Sequence, residues 1–515
     1  MRQRMAAVGA MQRMNVACFM TYACMCPHFE TELELMQRHL DRGDRVFHAH
    51  CRGEQTACDQ NPQRSAGACL RCMAKHRAGL RLLSRPVRKI PLIRLTAAQR
   101  QELAAVPRRF AAGEELREFR LGNFDAGWAV VSSLISHFRD PELNQRDLWT
   151  LVWNFLISAG AVYRSTANAL ARYDIEQVYV FNGRWAASRA VLRACQEAGV
   201  KCLVHDRGSH LGKFALFENT TPHDRSYHTR QMRAAWNEAA GNPERQRIAA
   251  EFYEDRRRAK VQSWVSFVKD HKPGLLPEGW ECRKRNLVAF SSSEDEFAAI
   301  GRDWVGPLYE NQIAGLRRLA ADLERYRDRL HLYIRLHPNL RGVVNAHTRE
   351  MGRLASDFVT VISPDSPVSS YALLDAASTV LTFGSTMGIE AAYWGKPSVL
   401  LGQSFYRGLG GVYEPKTHEE AVAMLAADLK PLDREPAFMY GYYMNTFGEP
   451  FRYFEATGVF EGKFKGVRIL HPEWSTRIAR RLGGPTGRLA LQLMTWRSHR
   501  LLFGRTGRRK VGAEG

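Results

Sequence analysis

Short apolar runs alternate along most of the chain with longer segments of helical periodicity. In the first half, an apolar run at 177–181 leads into a helical stretch at 185–198 and then into a second run at 201–205. The second half has further strand-like runs, at 286–290, 330–336, 358–362, 379–383 and 398–401. Because strands that alternate with helices pair into parallel sheets covered by helices, the pattern predicts an α/β protein.

The length of 515 residues suits two domains that each bury a core. A polar, charged section at 237–285, with prolines and glycines near its end, predicts a long helix followed by a linker. We therefore expect a first domain at 14–270, with a cysteine-rich insertion at 51–72, and a second domain at 284–465. A separate basic tail is expected at 468–515.

The apolar run at 16–20 follows several arginines, as the core of a secretion signal does. It is shorter than such a core, and no A-x-A-like cleavage site follows it. We predict that it is the first core strand behind a dispensable leader, with Met14 as an alternative start. No run reaches the roughly 20 consecutive apolar residues of a membrane-spanning helix. The sequence therefore predicts a cytoplasmic protein.

Part of the formal net charge of +21 is concentrated at the C-terminal end. Arginines there alternate with leucines and with Trp474 and Trp496, and only Glu473 and Glu514 oppose them. Arginine with tryptophan and leucine is typical of an amphipathic segment that binds an anionic membrane, here the inner membrane. A solvated tail that packs on the first domain is an equal alternative. Nucleic acid is not an expected partner, because no recognised binding module accompanies the charge.

The segment 380–402 has the most specific pattern. A buried strand leads into Gly384-Ser385-Thr386, and a helix starts directly afterwards. The glycine permits a tight turn, and the two hydroxyls lie beside the free N–H groups of a helix N-terminus, which suit a phosphate. Glu390 follows one helical turn later, where its carboxylate could reach ribose hydroxyls. The alternative is a capped helix with a glutamate near its positive end.

Two further strand ends carry polar side chains. One strand contains Arg335 and ends at His337, which Pro338 fixes in a loop. A histidine there can donate to a phosphate or act as an acid toward a leaving group. Because the carboxyl ends of parallel strands share one edge of a sheet, we expect these loops to form one site. A hydroxyl-rich turn after the first strand of the same domain completes the set, at Ser291, Ser292 and Ser293.

These motifs resemble those of bacterial capsule and surface-polysaccharide biosynthesis proteins. The resemblance rests on Arg-x-His-Pro at 335–338, Ser-Ser-Tyr at 369–371, Thr-Phe-Gly-Ser-Thr at 382–386 and Gly-Lys-Pro at 395–397. The resemblance covers most of 177–413. The proteins that the chain resembles are similar to the Kdo-transferase and sialyltransferase types of the GT-B fold. It implies two facing Rossmann-like domains and a glycosyltransferase. Such an enzyme would move a sugar from a nucleotide-sugar donor to a capsule, O-antigen or other surface-polysaccharide acceptor.

The resemblance also implies where the two substrates bind. A CMP- or UDP-linked donor would lie in the second domain, and a glycan or lipid-linked glycan acceptor would lie in the cleft beside the first. GT-B enzymes are typically metal-independent, which fits a chain without a DxD-like motif near the expected donor loops. The implied acceptor-side residues are Asn182, Gly183 and Arg184. The implied donor-binding residues are Ser291, Ser292, Ser293, Arg335, His337, Pro338, Gly384, Ser385, Thr386 and Glu390.

The transfer also needs a group that takes the proton of the acceptor hydroxyl. Asp206 and His205, at the end of the strand at 201–205, are the candidates, and His337 is the candidate acid. Related proteins often carry Glu-x-Gly where this chain has Asp206-Arg207-Gly208. An ion pair of Asp206 with Arg184 or Arg207 is therefore the alternative role.

The ten cysteines are too few for a disulfide scaffold in a chain of this length, and we expect them to be reduced. Four of them lie in a loop poor in apolar residues: Cys51, Cys58, Cys69 and Cys72. Such a loop predicts a structural zinc site or an iron–sulfur cluster. Small buried cysteines without a metal are the alternative.

Two other functions fit the same pattern. One is a UDP-sugar 2-epimerase-like enzyme of the GT-B fold, which would need acidic residues facing the sugar from both domains. The other is a non-catalytic scaffold of polysaccharide biosynthesis or export, which would bind no nucleotide.

Overall fold

The computed structural model describes residues 13–469 and 485–504, and two large β-sheets organise them. The strands are β1 (Asn15–Met20), β2 (Arg45–His50), β3 (Arg88–Pro91), β4 (Gln177–Phe181), β5 (Lys201–Arg207), β6 (Lys213–Glu218), β7 (Arg285–Phe290), β8 (Leu330–Arg335), β9 (Val359–Ile362), β10 (Thr379–Thr382), β11 (Ser398–Leu400), β12 (Glu449–Pro450), β13 (Phe454–Gly458) and β14 (Glu461–Phe464).

Helices connect the strands and cover the sheets. They are α1 (His28–Arg42), α2 (Ala66–Leu80), α3 (Ala97–Ala104), α4 (Gly113–Glu118), α5 (Ala126–Phe138), α6 (Trp149–Tyr173), α7 (Ala186–Ala198), α8 (Arg225–Glu238), α9 (Arg245–Arg257), α10 (Glu294–Ala298), α11 (Gln312–Leu323), α12 (Ala346–Gly352), α13 (Ser370–Ala376), α14 (Met387–Tyr393), α15 (His418–Ala426), α16 (Glu435–Thr446) and α17 (Pro485–Phe503). Short 3-10 helices lie at Gln145–Leu148, Arg302–Trp304, Glu324–Tyr326 and Pro338–Leu340.

The two sheets share one strand topology. The first has seven strands in the order β12-β6-β5-β4-β1-β2-β3, of which β1 to β5 are parallel. The second has five parallel strands in the order β11-β10-β7-β8-β9. In each sheet the order of strand addition reverses beside the first strand, as in Rossmann-like domains. The predicted α/β class with two Rossmann-like domains of the GT-B type is therefore confirmed.

The apolar character of the strands follows from cover on both faces. All six residues of β8 are buried, and so are five of the six in β1. Continuous apolar runs of this kind are expected in parallel sheets, which helices cover on both sides. The strands that the sequence predicts in the second half are all present, with ends that differ by at most one residue.

The second domain ends earlier than predicted. Strand β12 pairs antiparallel with β6 at the edge of the first sheet, and the hairpin β13–β14 packs against α1. The fully buried Glu34 carboxylate accepts hydrogen bonds from the backbone N–H groups of Arg452, Tyr453 and Phe454 at 2.8, 2.7 and 3.2 Å. Residues 449–464 therefore belong to the first domain, where they form hydrogen bonds and pack against its apolar core.

Helices α8 and α9 also depart from the predicted boundary. They pack with α14 and α16 in one apolar core that includes Met232, Tyr253, Ile389 and Tyr440. Residues 225–257, which the sequence assigned to the first domain, thus stabilise the second.

The terminal helix α17 lies against α2 and α3 of the first domain. Ser498 and Leu502 are buried there, and the Ser498 hydroxyl donates to the carbonyl of Gly53 at 3.0 Å. The packing alternative for the tail holds for this helix, while the other basic residues of the tail lie largely outside the described ranges. The outer side of α17 exposes Leu489, Leu493 and Trp496.

No helix within residues 13–469 and 485–504 combines the length and the apolar character that a membrane crossing requires.

Candidate active site

A cavity of about 370 Å³ lies at the carboxyl ends of β7, β8 and β10. Strands β7 and β10 are neighbours in the sheet although they are distant in sequence, so the strand order reverses here. Open α/β sheets bind ligands at this point. The structure brings all the predicted donor-site residues to this cavity: Ser291, Ser292, Ser293, Arg335, His337, Pro338, Gly384, Ser385, Thr386 and Glu390.

The serine turn after β7 holds the cavity wall together. The Ser291 hydroxyl accepts from the backbone N–H of His337 at 2.9 Å, and the Ser293 hydroxyl accepts from the side-chain amide of Asn339 at 3.3 Å. The backbone N–H of Ser292 donates to the side-chain amide of Gln312 in α11, and the Ser292 carbonyl accepts from the same amide. Its buried hydroxyl has no hydrogen-bond partner among the described residues, which leaves it available to a ligand.

His337 carries an N–H donor at the cavity. Its Nδ1 accepts from the backbone N–H of Asn339 at 3.1 Å, so the proton of the neutral imidazole lies on Nε2. Burial lowers the pKa of His337 to about 4, with further contributions from Arg256, Arg335 and Arg139. The side chain is therefore a neutral donor at physiological pH, which suits a phosphate oxygen. A bound anion would raise its pKa.

The turn after β10 requires glycine at position 384. Its φ is 149°, and a Cβ there would lie 2.5 Å from the carbonyl oxygen of Gln403. The Ser385 hydroxyl accepts from the backbone N–H of Met387, the first residue of α14, at 3.3 Å, while Thr386 at the N-cap position makes no side-chain capping bond. The Ser385 and Thr386 side chains lie at the cavity surface.

Glu390 lies in a buried polar network and not at an open surface. Its Oε1 accepts from Arg256 Nε and from the Thr386 hydroxyl, each at 3.0 Å, and its Oε2 accepts from the Tyr371 hydroxyl at 2.6 Å. Although burial opposes the charge of Arg256, the Glu390 carboxylate raises the pKa of that guanidinium. Arg256 also donates to the Thr386 hydroxyl at 2.9 Å. The carboxylate therefore positions a fixed cation and a hydroxyl at the cavity.

Arg335 supports a neighbouring loop. Its guanidinium donates to the backbone carbonyls of Ser363 and Ser366 and contacts Nε2 of His271 at 3.0 Å. Burial lowers the pKa of Arg335 to about 10. Its remaining Nε is buried without a partner among the described residues. The Nε–H group is therefore the part of Arg335 that remains free to contact a bound nucleotide-sugar, as the sequence predicted for this residue.

The connection between the domains forms one wall of the cavity, which the sequence did not reveal. Residues 262–268 line it, together with Arg256 from the end of α9. The segment is held to both domains, because Arg207 donates to the Ser263 carbonyl at 3.3 Å and the Lys272 N–H donates to the Pro367 carbonyl at 2.9 Å. The section read as a linker is therefore part of the site.

The predicted acceptor-side residues lie at the carboxyl end of the first sheet and not in this cavity. Asp206 accepts from the Asn182 amide at 2.8 Å and from the backbone N–H of Arg207 at 2.8 Å, and burial raises its pKa. His205 is fully buried, with Nε2 3.2 Å from Glu32 Oε1, so the structure does not bring it to an open surface. Gly183 and Arg184 line a second cavity beside Asp224 and Asp303. Trp304 lines both cavities.

A carboxylate that sequence reasoning missed lies beside these residues. Burial raises the pKa of Asp59 to about 6, although Ser133 and Arg184 oppose the shift. Burial lowers the pKa of the Arg184 guanidinium, and the carboxylates of Glu296, Asp206 and Asp59 lie near enough to oppose this shift. Glu296 comes from the second domain and lines the first cavity. Asp59 follows Cys58 in the insertion, so only the tertiary fold indicates its place.

The four cysteines of the insertion do not form a tetrahedral metal site in this structure. Thiolates that share one zinc ion lie about 3.8 Å apart. In the described part of the chain, no three cysteine sulfurs approach one another within 4.8 Å. The Cys72 sulfur accepts from the Ala23 N–H at 3.1 Å and the Cys69 sulfur from the Asn61 amide at 3.3 Å. A structural zinc ion or an iron–sulfur cluster held by Cys51, Cys58, Cys69 and Cys72 stays a prediction.

The fold and the cavity define a two-domain α/β protein with a polar, phosphate-suited site at the switch point of its second sheet. Residues 309–432 match the family model described as capsule polysaccharide biosynthesis protein. This segment carries His337, Tyr371, Ser385 and Glu390. The resemblance to capsule polysaccharide biosynthesis proteins is therefore confirmed over this part of the chain.

Comparison with solved structures gives two examples of similar proteins. A KpsC β-Kdo 2,4-transferase from Thermosulfurimonas dismutans is 14% identical, with 59% of this chain and 87% of that chain covered and a TM-score of 0.35. A UDP-GlcNAc 2-epimerase from Neisseria meningitidis, solved with UDP-GlcNAc bound, is 9% identical, with 83% and 97% covered and a TM-score of 0.26. No curated protein sequence matches the chain.

Proposed function

We propose that this chain is a glycosyltransferase that moves a sugar from a nucleotide-sugar donor to a capsule, O-antigen or other surface polysaccharide. The observation that carries the proposal is the convergence of three strand-end loops on one cavity at the switch point of the second sheet. The family match over residues 309–432 supports the link to capsule polysaccharide.

In this proposal the donor phosphates lie between the His337 loop and the turn after β10. The Nε2 proton of His337 and the hydroxyls of Ser292 and Thr386 would donate to phosphate oxygens. Arg256, fixed by Glu390, would supply positive charge as the leaving nucleotide gains negative charge. A metal ion is not required for this charge balance, and CMP and UDP are the nucleotides we expect.

The acceptor would enter between this cavity and the carboxyl end of the first sheet. Its hydroxyl needs a base with a pKa not far below the working pH. Asp59, with a pKa of about 6, meets this condition, although both of its carboxylate oxygens are buried and have no hydrogen-bond partner among the described residues. Asp206 is the second candidate, and its hydrogen bonds to Asn182 and the backbone restrict it more. Comparison of Asp59→Asn with Asp206→Asn in a transfer assay would separate them.

A thermal-shift panel tests the donor site. CMP, UDP, GDP and their sugars are added to wild type, to His337→Ala and to His331→Ala, a control in which a histidine of β8 distant from the cavity is removed. We expect at least one nucleotide to raise the Tm of wild type and of the control by mass action. The same nucleotide should leave the Tm of His337→Ala unchanged.

The same panel separates the other functions. If no nucleotide raises the Tm of the wild type, a non-catalytic scaffold is favoured. Equal shifts for wild type and His337→Ala would contradict the assigned donor site. A UDP-sugar that is converted to its epimer without an acceptor would indicate an epimerase instead.

We also propose that α17 attaches the protein to an anionic membrane, the surface on which lipid-linked acceptors lie. Leu489, Leu493 and Trp496 are exposed by 56%, 58% and 61% on one side of the helix. Arg500 lies over the Trp496 ring at 5.3 Å, so a cation borders the apolar stripe. Exposed apolar side chains with flanking arginines suit the interface of an anionic bilayer.

Sedimentation with vesicles tests this attachment. Wild type should bind vesicles that contain phosphatidylglycerol and should bind pure phosphatidylcholine weakly. Trp496→Glu should lose most of the binding, and Trp496→Ala, which removes the ring without adding charge, should also bind more weakly than wild type. Full binding by Trp496→Ala would contradict insertion of the apolar stripe.

A further inference from the structure

Three histidines form a group in the first domain, in a place that the proposed transfer does not use. His48 and His50 occupy alternate positions of β2 and therefore share one face of the sheet. His76 approaches them from α2. One ring nitrogen of each lies within 4.8 Å of those of the other two.

The group leaves buried polar atoms without ordinary partners. His48 has no exposed surface, and His76 is 4% exposed. The Nε2 atoms of these two rings contact each other. The Nδ1 atoms of His48 and His50 are buried without a hydrogen-bond partner in the described part of the chain. Buried polar groups in folded proteins are nearly always paired, so this arrangement calls for a ligand.

The chemistry of the group fits a divalent metal ion. Neutral imidazole nitrogen is a preferred ligand of zinc, and burial keeps these rings neutral: it lowers the pKa of His48 to about 3 and that of His50 to about 4. Nitrogens bound tetrahedrally at about 2.0 Å from zinc lie about 3.3 Å apart, so small side-chain movements suffice. The cations Lys89 and Arg52 lie near the group, and an anion bound beside the ion would offset their repulsion of it.

We propose that His48, His50 and His76 bind one divalent metal ion, zinc by ligand preference, and that this ion fastens α2 to β2. The segment between these two elements, residues 51–65, contains Cys51, Cys58 and Asp59. A metal that closes this loop reduces the freedom of its chain. The ion would thus fix the loop that carries Asp59 without touching the reacting atoms.

Metal analysis of the purified full chain tests the proposal. The protein is prepared without a polyhistidine tag, supplied with zinc, freed of excess metal by gel filtration and measured by mass spectrometry. We expect about one zinc ion per chain in wild type, and at least tenfold less bound zinc in His76→Gln and in His48→Gln. His331→Gln, which changes a buried histidine of the second domain, should retain the metal, as should the double variant Cys69→Ser/Cys72→Ser.

Circular dichroism must show that each variant is folded, and cobalt substitution gives a second measurement that does not depend on the variants. Cobalt bound to three imidazoles has visible absorption without a thiolate charge-transfer band. A wild type that retains no divalent metal, or histidine variants that retain it fully, would overturn the proposal. Loss of metal only in the cysteine variant, a thiolate band, or iron with inorganic sulfide would assign the metal to the cysteines instead and would equally overturn it.

Discussion

At the scale of single residues, His337 has an unusual protonation state for a histidine in a loop. Its folded-state pKa of about 4 lies below the ordinary value of 6.5. The unfolded chain therefore binds more protons than the folded chain between these values, and the folded state loses stability as the pH falls through this window. Above pH 6.5 the contribution is constant.

A variant at this position should reveal the effect. Between pH 7 and pH 4.5, the free energy of unfolding should fall less in His337→Asn than in wild type. The difference between the two decreases should be on the order of 1–3 kcal/mol. Urea unfolding at the two pH values measures it. His499→Asn, at an exposed position of α17, should follow wild type. A pH dependence in His337→Asn that equals that of wild type would show that this imidazole is not held neutral.

The network at Glu390 gives a second prediction at this scale. Glu390→Gln leaves the Arg256 charge without its carboxylate partner, and we expect a loss of about 2 kcal/mol in the free energy of unfolding. In a double-mutant cycle with Arg256→Gln, the combined loss should fall short of the sum by at least about 1 kcal/mol. Additive losses would mean that the two side chains do not interact in solution.

The sequence predicted part of the site because that part is local. Ser291 directly follows a buried strand, His337 and Gly384 come two residues after theirs, and parallel strands place their ends on one edge. Arg256 and Asp59 were not found, since each reaches its place only through tertiary packing: Arg256 through the core shared by α9 and α14, Asp59 through the loop after β2. Glu390 was found, but its partners, and hence its positioning role, were not.

At the scale of elements, α17 has two sides with different energetic roles. Leu502 is fully buried against the first domain, whereas Leu493 is exposed by 58%. Leu502→Ala should lower the free energy of unfolding by about 2–4 kcal/mol, and Leu493→Ala should change it by less than about 0.5 kcal/mol. Urea unfolding of the two variants measures the difference. Equal values would mean that the helix does not dock as the structure describes.

The hydrophobic pattern predicted the strands of the second sheet well, because these strands are buried on both faces and are therefore apolar throughout. The predicted end of the second domain at residue 465 failed for a different reason. Strand β12 has two residues, too few to show a period, and its pairing with β6 joins segments that are distant in sequence.

At the scale of the whole molecule, the chain crosses between the domains more than once, and this makes the first domain dependent on residues 449–464. If these residues are removed, the Glu34 carboxylate loses the three backbone N–H groups that donate to it. A fragment of residues 13–270 should therefore fail to fold, whereas the chain 13–469 should fold. Circular dichroism and limited proteolysis of both fragments test this. A stable, protease-resistant 13–270 fragment would contradict it.

The connecting segment 258–284 also has a kinetic consequence. Its residues 262–268 form a wall of the cavity in the second domain, and Arg207 of the first domain donates to the Ser263 carbonyl. An occupant of the cavity would therefore contact the connection between the two domains. Binding there should restrict the movement of one domain relative to the other and complete the surface that meets the second substrate. We expect a compulsory order of binding, with the nucleotide compound first, and product-inhibition patterns would display it.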